Sequence, residues 1–264
     1  MKPRRLGVRS FISYYDETVR RTRASIADCG EDPSPERIHA SRASIRRLDA
    51  AVQLLPRGFT REKETARYLE LIDRFSVASA RASDCDVVGR MLSSASWGDG
   101  AGSAASDLSH ERLSAARKSA RLAKRIAALP TPLLEPEEVS GKKLQKRFDE
   151  RVKRLEKRIN EAYPLVVSEE REVALLHKMR RDVRRLRHLL TLADDARSET
   201  DVVSRLIELQ DLLGAVRDID VALKKVGTSP ALRARLVQAR KGAYETFRTR
   251  SREMGGRDRL VETR

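Results

Sequence analysis

Apolar residues recur at helical spacing along most of the chain. The period is clearest in residues 67–80, around Leu69, Ile72 and Val77, and in residues 202–216. The second segment places four apolar residues on one helical face: Leu206, Leu209, Leu213 and Val216. No stretch alternates strictly between polar and apolar positions over the length of a strand. The pattern therefore predicts an all-α protein.

Proline, glycine and serine clusters divide this helical pattern. Residues 32–35 and 55–58 break the first third of the chain, and the Ser/Gly/Ala-rich residues 93–106 predict a flexible loop. Prolines from 129 to 136 predict a linker, and residues 227–230 break the last long segment. We expect helices near 7–28, 34–55, 61–92 and 107–129, then near 142–163, 168–193, 198–226 and 230–254.

An internal repeat relates the two halves of the chain. Residues 39–48 and 177–186 both read H-x-x-R-x-x-φ-R-R-L, where φ is apolar, and they lie 138 residues apart. Three other pairs of segments are more weakly similar and occur in the same order in both halves: 15–21 with 148–154, 84–87 with 218–221, and 116–118 with 239–241. The repeat predicts four helices in residues 1–130, a linker at 131–141, four helices in 142–254 and a flexible tail at 255–264. We expect two four-helix bundles related by a pseudo-twofold axis, with a shared central groove.

The charge balance favours polyanionic partners. The 264 residues contain 55 Lys and Arg against 39 Asp and Glu, a formal net charge of +16. This charge suits nucleic acid, inorganic polyphosphate, anionic membranes or acidic proteins. Aromatic residues make up 4% of the chain, which disfavours a protein that binds single strands by base stacking. We expect Cys29 and Cys85 to be reduced, in a cytoplasm, and we find no signal peptide or spanning segment.

The repeated motif predicts basic helix faces. At about 100° per residue, the second-half cations share one broad face: His177, Arg180, Arg181, Arg184, Arg185 and His188. Five apolar residues fall on another side of the same helix: Leu176, Met179, Val183, Leu186 and Leu190. The first-half counterpart of the cationic face is shorter: His39, Arg42, Arg46 and Arg47. The first helix of the second half adds a stripe of Arg147, Arg151, Arg154 and Arg158, and the last helices add Arg117, Lys118, Arg240 and Lys241.

These faces suit phosphate. Aligned arginines repel one another, and a bound anion reverses that cost, because the planar guanidinium fork matches phosphate oxygens. The alternative is a solvated charged face, which is the ordinary interpretation of a charge run; the recurrence of the motif favours an anion site. His39 and His177 can donate to phosphate or serve as satisfied core groups.

Two pairs of carboxylates need a separate explanation. Asp84 with Asp86, and Asp218 with Asp220, lie among basic neighbours. Such pairs can hold Mg²⁺ or act as general acid and base. We favour structural ion pairs that orient the arginines of the second helix of each half. No His or Cys cluster has metal-ligand spacing, so we expect no metal and no cofactor.

These residues resemble the CHAD family, whose name denotes a histidine-containing α-helical domain. The resemblance rests on the two H-x-x-R-x-x-φ-R-R-L segments and on the sequence L-x-D-L-L-G-x-x-R-D-I-D-V at 209–221. It covers residues 10–250. The first half departs from the pattern, with Ser83 in place of Arg217 and Ala80 in place of Gly214.

The resemblance implies two four-helix bundles around a basic central groove that binds inorganic polyphosphate. It also implies localisation to polyphosphate granules. Relatives often accompany a catalytic domain with an E-x-E-x-K signature, and here Glu135-Pro136-Glu137 is followed by Glu138 and Val139 instead. We therefore expect a binding module without enzymatic activity. The alternatives are a nucleic-acid or general polyanion-binding module and, at lower weight, a phosphoanhydride-cleaving enzyme that uses the aspartate pairs.

Overall fold

The computed structural model describes residues 6–93, 97, 101–193, 201–226, 229–255 and 260–261. These residues contain no β-strand, so the all-α prediction is confirmed. The helices are α1 (Val8–Glu31), α2 (Pro35–Val52), α3 (Arg57–Arg61), α4 (Lys63–Leu92), α5 (Ala101–Ala127), α6 (Gly141–Ser168), α7 (Val173–Ala193), α8 (Asp201–Lys225) and α9 (Pro230–Gly255). A single 3-10 turn, Pro136–Glu138, lies between α5 and α6.

The N-terminal unit comprises residues 8–140, together with residues 225–226 and 229–232. It contains α1 to α5 around a core of large apolar side chains: Phe11, Tyr15, Ile26, Ile45, Leu48 and Phe75. The side chain of Ser34 accepts a hydrogen bond from the Arg37 backbone at the start of α2, which satisfies one of the free amide groups there. Arg23 donates from Nη1 to the Leu129 carbonyl and from Nη2 to the Ala127 carbonyl, both at 2.7 Å, and so caps the end of α5.

The C-terminal unit comprises residues 6–7, 141–224, 233–255 and 260–261. It contains α6 and α7, nearly all of α8, and α9 from Arg233 onward. The apolar face predicted for α7 is buried, from Leu176 to Leu190. Helix α6 passes its predicted end at 163 and continues through Pro164 to Ser168. The Tyr244 hydroxyl donates to the Val166 carbonyl at 2.8 Å, so the last turn of α6 has a partner on α9.

Two segments predicted to be flexible, residues 93–106 and 255–264, contain packed or helical residues among those described. Helix α5 begins at Ala101, so part of the predicted loop 93–106 is helical, because alanine is the best helix former. Residues 94–96 and 98–100 of that loop lie outside the described residues. The predicted linker packs on α1: Leu134 is buried, and its amide donates to Asp16 Oδ1 at 3.2 Å.

Part of the predicted tail 255–264 is packed as well. Leu260 and Val261 are buried, and both of their amides donate to Asn160 Oδ1 at 3.1 Å. Asn160 Nδ2 in turn donates to the Val261 carbonyl at 2.8 Å. One asparagine therefore ties this short segment to α6, while residues 256–259 and 262–264 lie outside the described residues.

The two thiols and the hydropathy of the helices agree with the sequence. Cys29 and Cys85 are both buried and unbonded to each other, as predicted. Within the described ranges, every helix is too polar or too short to cross a membrane.

Candidate anion-binding site

Four arginines of α6 and α7 lie close to one another, and two of them contact the same carboxylate. Arg158 donates from Nη2 to Asp182 Oδ1 at 2.6 Å, and Arg185 Nη1 lies 3.7 Å from the same oxygen. The Asp182 side chain is only 4% exposed, so these guanidinium groups take the place of water around it. Arg151 and Arg154 lie near these two arginines, and we call the four residues the α6–α7 arginine cluster: Arg151, Arg154, Arg158 and Arg185.

The cluster carries more positive than negative charge. Partial burial, and then the charges of Arg154, Arg158 and Arg185, lower the pKa of Arg151 below its usual value. Guanidinium groups that lower one another's pKa repel, and one carboxylate offsets only part of four cations. A bound polyanion would relieve this repulsion, and its oxygens would accept from the guanidinium forks.

The other edge of the predicted α7 stripe faces α8. The guanidinium of Arg180 lies over Gly214, with Nε 3.9 Å from the place a Cβ would occupy. His177 Nε2 lies 3.2 Å from Asp220 Oδ2, and the histidine side chain is 19% exposed. The stripe is therefore flanked by α6 on one side and by α8 on the other, and His177 lies against a protein carboxylate rather than open to solvent.

Asp220 links α7, α8 and α9. Arg240 donates from Nε to Asp220 Oδ1 at 2.6 Å and from Nη1 to Glu170 Oε1 at 2.7 Å. Burial alone would raise the pKa of Asp220, but the interactions with His177 and Arg240 outweigh it and hold that pKa below its ordinary value. This network orients His177 and joins α8 and α9 to the segment that precedes α7.

The first-half stripe on α2 has corresponding neighbours. Arg42 donates from Nη1 to the Ser76 carbonyl of α4 at 3.0 Å. Arg47 lies near Tyr14 of α1, where burial raises the pKa of the phenol and a hydrogen bond to Thr18 and the charge of Arg47 partly offset that rise. Arg46 is half-buried, whereas His39 is exposed. The two repeat histidines therefore occupy different environments.

Asp86 in the N-terminal unit makes the contact that Asp220 makes in the C-terminal unit. Arg112 donates from Nε to Asp86 Oδ1 at 2.6 Å and from Nη2 to the Pro33 carbonyl at 3.0 Å. Asp86 and Asp220 therefore form ion pairs, as favoured from the sequence, but with arginines of the last helix in each half rather than the second. The alignment of residues 116–118 with 239–241 is therefore corrected, because Arg112 and not Arg117 is the structural counterpart of Arg240.

The remaining predicted site residues divide by exposure. Arg147, Arg184 and His188 are half-buried in the C-terminal unit, where Arg181 and Lys241 are exposed. Arg217, beside the motif, lies 2.9 Å from Asp218 through Nη1 and Oδ1. Arg117 and Lys118 are exposed on α5 in the N-terminal unit and do not belong to the α6–α7 arginine cluster.

Sequence reasoning missed three residues of these networks. Asp182 is the one acidic residue in the run M-R-R-D-V-R-R-L-R-H, and Ser44 occupies the corresponding position in the first half. Its partner Arg158 is likewise Ser25 in the first half. Because both Arg158 and Asp182 correspond to serine in the first half, this paired difference is the signal in the sequence that could have identified the ion pair. Arg112 and Glu170 carry no such signal, because charged residues are common on protein surfaces.

Metal binding has no geometric support in the part of the chain that the structure describes. Within those residues, no group of three or more His, Cys, Asp or Glu side chains is placed to hold a metal ion.

The described residues form an all-helical protein with clustered arginines on α6 and α7, and comparison with known proteins assigns its family. The CHAD domain family matches residues 13–224 and again residues 161–261. The chain therefore belongs to the CHAD domain family. No curated protein shows significant sequence similarity to it.

Two solved structures share the fold. The crystal structure of the CHAD domain from the plant Ricinus communis is 14% identical, with a TM-score of 0.60 over 98% of this chain and 90% of that chain. PptA from Streptomyces chartreusis is 16% identical, with a TM-score of 0.53 over 92% of this chain and 98% of that chain. At such identities the likeness concerns the fold.

Proposed function

We propose that this protein binds inorganic polyphosphate without catalysing its turnover. The observation that carries the proposal is the α6–α7 arginine cluster, where partial burial and then the charges of the neighbouring guanidinium groups lower the pKa of Arg151. A polyphosphate chain offers successive anionic oxygens at short intervals, and a row of guanidinium forks can bind several of them at once. Membership of the CHAD family supports the same ligand.

Within this proposal the predicted residues have different tasks. Arg151, Arg154 and Arg185 contact the phosphate oxygens, together with the exposed Arg181. Asp182 positions Arg158 and Arg185. His177 has a positioning role in this proposal: its Nε2 lies against the Asp220 carboxylate and helps to hold that carboxylate in place. The α2 residues Arg42, Arg46 and Arg47, with the exposed His39, provide a second and weaker surface for the same ligand.

The direct test is a titration of labelled long-chain polyphosphate into the purified protein at near-physiological salt, with duplex DNA of matched charge as competitor. We expect micromolar or tighter binding that DNA displaces poorly. Displacement by DNA at equal charge concentration would instead assign the protein to general polyanion or nucleic-acid binding.

A charge-matched pair of variants tests the cluster itself. The triple variant Arg151→Gln, Arg154→Gln, Arg185→Gln should bind polyphosphate at least tenfold more weakly. The control variant Arg57→Gln, Arg61→Gln, Arg67→Gln removes the same charge from exposed positions of α3 and α4 and should change the affinity less than twofold. Equal losses in both variants would show that only net charge matters.

Absence of catalysis and cellular location are tested separately. We expect no phosphate release from polyphosphate in the presence of Mg²⁺; release that depends on Asp218 or Asp220 would support an enzyme instead.

We also infer a cytoplasmic location at polyphosphate granules. A fluorescent fusion should concentrate at granules, and the cluster variant should be diffuse.

A further inference from the structure

A groove between α4 and α5 combines basic and apolar side chains in the N-terminal unit. Val77, Arg81 and Lys118 line the part between the two helices. Leu113 and Arg117 line an adjoining depression along α5, and both parts share Arg121. We call this surface the α4–α5 groove. From His110 to Arg121 it follows three turns of α5, about 16 Å at ~1.5 Å per residue.

Two large apolar side chains are exposed at this groove. Val77 is 62% exposed and Leu113 is 49% exposed. The helical period had placed Val77 with Leu69 and Ile72, but Ile72 is buried and Val77 faces solvent. Single exposed apolar residues are ordinary. Val77 lines the part between the helices and Leu113 lines the depression along α5, so an occupant that contacts both must extend over both parts.

The charge around these apolar residues is positive. Arg81, Arg117, Lys118 and Arg121 lie on the groove walls. Glu111 also lines the groove, but its Oε1 accepts a hydrogen bond from Lys225 Nζ at 2.6 Å, so its charge is already compensated. An occupant must therefore present negative charge beside apolar side chains.

We propose that the α4–α5 groove binds an acidic amphipathic helix of a partner protein. A third helix laid along two packed helices buries an apolar stripe between them, and its flanking carboxylates reach the cations on both walls. The net charge of +16 speeds association with an acidic partner and opposes docking of a second copy of this chain. A bare phosphate chain leaves Val77 and Leu113 without a contact, so this site differs from the α6–α7 arginine cluster.

The probe is a labelled 18-residue peptide of Leu, Ala and Glu, with leucines on one helical stripe and glutamates beside it. A scrambled peptide of the same composition, with leucines all around the helix, has the same charge. Fluorescence anisotropy with the full-length protein measures both affinities. We expect the amphipathic peptide to bind at least tenfold more tightly than the scrambled peptide.

Matched variants locate the binding. Val77→Ser with Leu113→Ser should remove the difference between the two peptides, while polyphosphate binding stays unchanged. The control Leu165→Ser with Val237→Ser replaces two apolar residues that are exposed in the C-terminal unit, and it should bind both peptides as the parent does. Arg117→Gln with Arg121→Gln should weaken both peptides, with a smaller effect at high salt.

Three results would overturn the proposal. Equal affinity for the two peptides would mean a basic surface only. Unchanged peptide preference in the Val77→Ser, Leu113→Ser variant would place the binding elsewhere. A concentration-dependent dimer of the protein alone, lost in that variant by analytical ultracentrifugation, would make a second copy the occupant. Since polyphosphate affinity is measured independently on the same variants, failure here leaves the α6–α7 site to be judged by its own test.

Discussion

Arg240 donates from Nε to Asp220 Oδ1 at 2.6 Å, and both side chains are largely withdrawn from solvent. The same atoms of Arg112 and Asp86 are also 2.6 Å apart in the other unit. In each case the arginine belongs to the last helix of its half, and it also reaches the segment before the second helix. Each ion pair therefore joins the last helix of its half to the helix that carries the aspartate.

Loss of Arg240 should destabilise the protein strongly. Arg240→Ala leaves Asp220 buried with His177 as its remaining side-chain contact, and breaking a buried ion pair costs about 3–5 kcal/mol. Urea denaturation followed by circular dichroism measures the loss. The exposed Arg250, which pairs with Glu208 at 2.7 Å, is the control; Arg250→Ala should leave the midpoint unchanged. A similar midpoint for both variants would contradict a stabilising role of the Arg240–Asp220 ion pair.

Asp220 should also make stability depend on pH on the acid side. Its pKa is held below the ordinary value in the folded protein, so the unfolded chain binds the proton first as the pH falls. The stabilisation is therefore complete at neutral pH and is lost as the pH falls below about 4. The stability difference between the parent and Asp220→Asn should shrink between pH 5 and pH 3. A difference that stays constant over this range would be evidence against the charged contact.

The Arg158–Asp182 pair should behave as one unit. Arg158→Ser alone leaves the buried Asp182 with the more distant Arg185, and we expect a loss of about 2 kcal/mol. The double variant Arg158→Ser, Asp182→Ser installs the residues that the first half has at Ser25 and Ser44, and it should recover most of that loss. A double-mutant cycle in urea measures the coupling. Additive losses would mean that the two side chains do not interact in solution.

Helical periodicity predicted most of the fold because it reports which face of a long helix is buried. It gave no signal for α3, which has five residues and follows Pro56, because so short a helix contains little more than one period. The serines and glycine of residues 101–106 favour a loop, but the three alanines favour a helix, and these residues are helical. The motif arginines were identifiable from their recurrence. Which of them contact Asp182 or Gly214 depends on how α6 and α8 pack against α7, and one helix's sequence carries no record of its neighbours.

Two glycines should respond in opposite ways to alanine. A Cβ on Gly30 of α1 would lie 2.8 Å from the Ala123 Cβ of α5, closer than such atoms approach, so the helices must separate. Gly30→Ala should therefore cost about 1–3 kcal/mol through overpacking. A Cβ on Gly89 of α4 meets nothing within 4 Å, so Gly89→Ala should stabilise the protein by about 0.5–1 kcal/mol through helix propensity. Thermal and urea melts of both variants measure the signs, and stabilisation by both would mean that α1 and α5 do not approach so closely at Gly30.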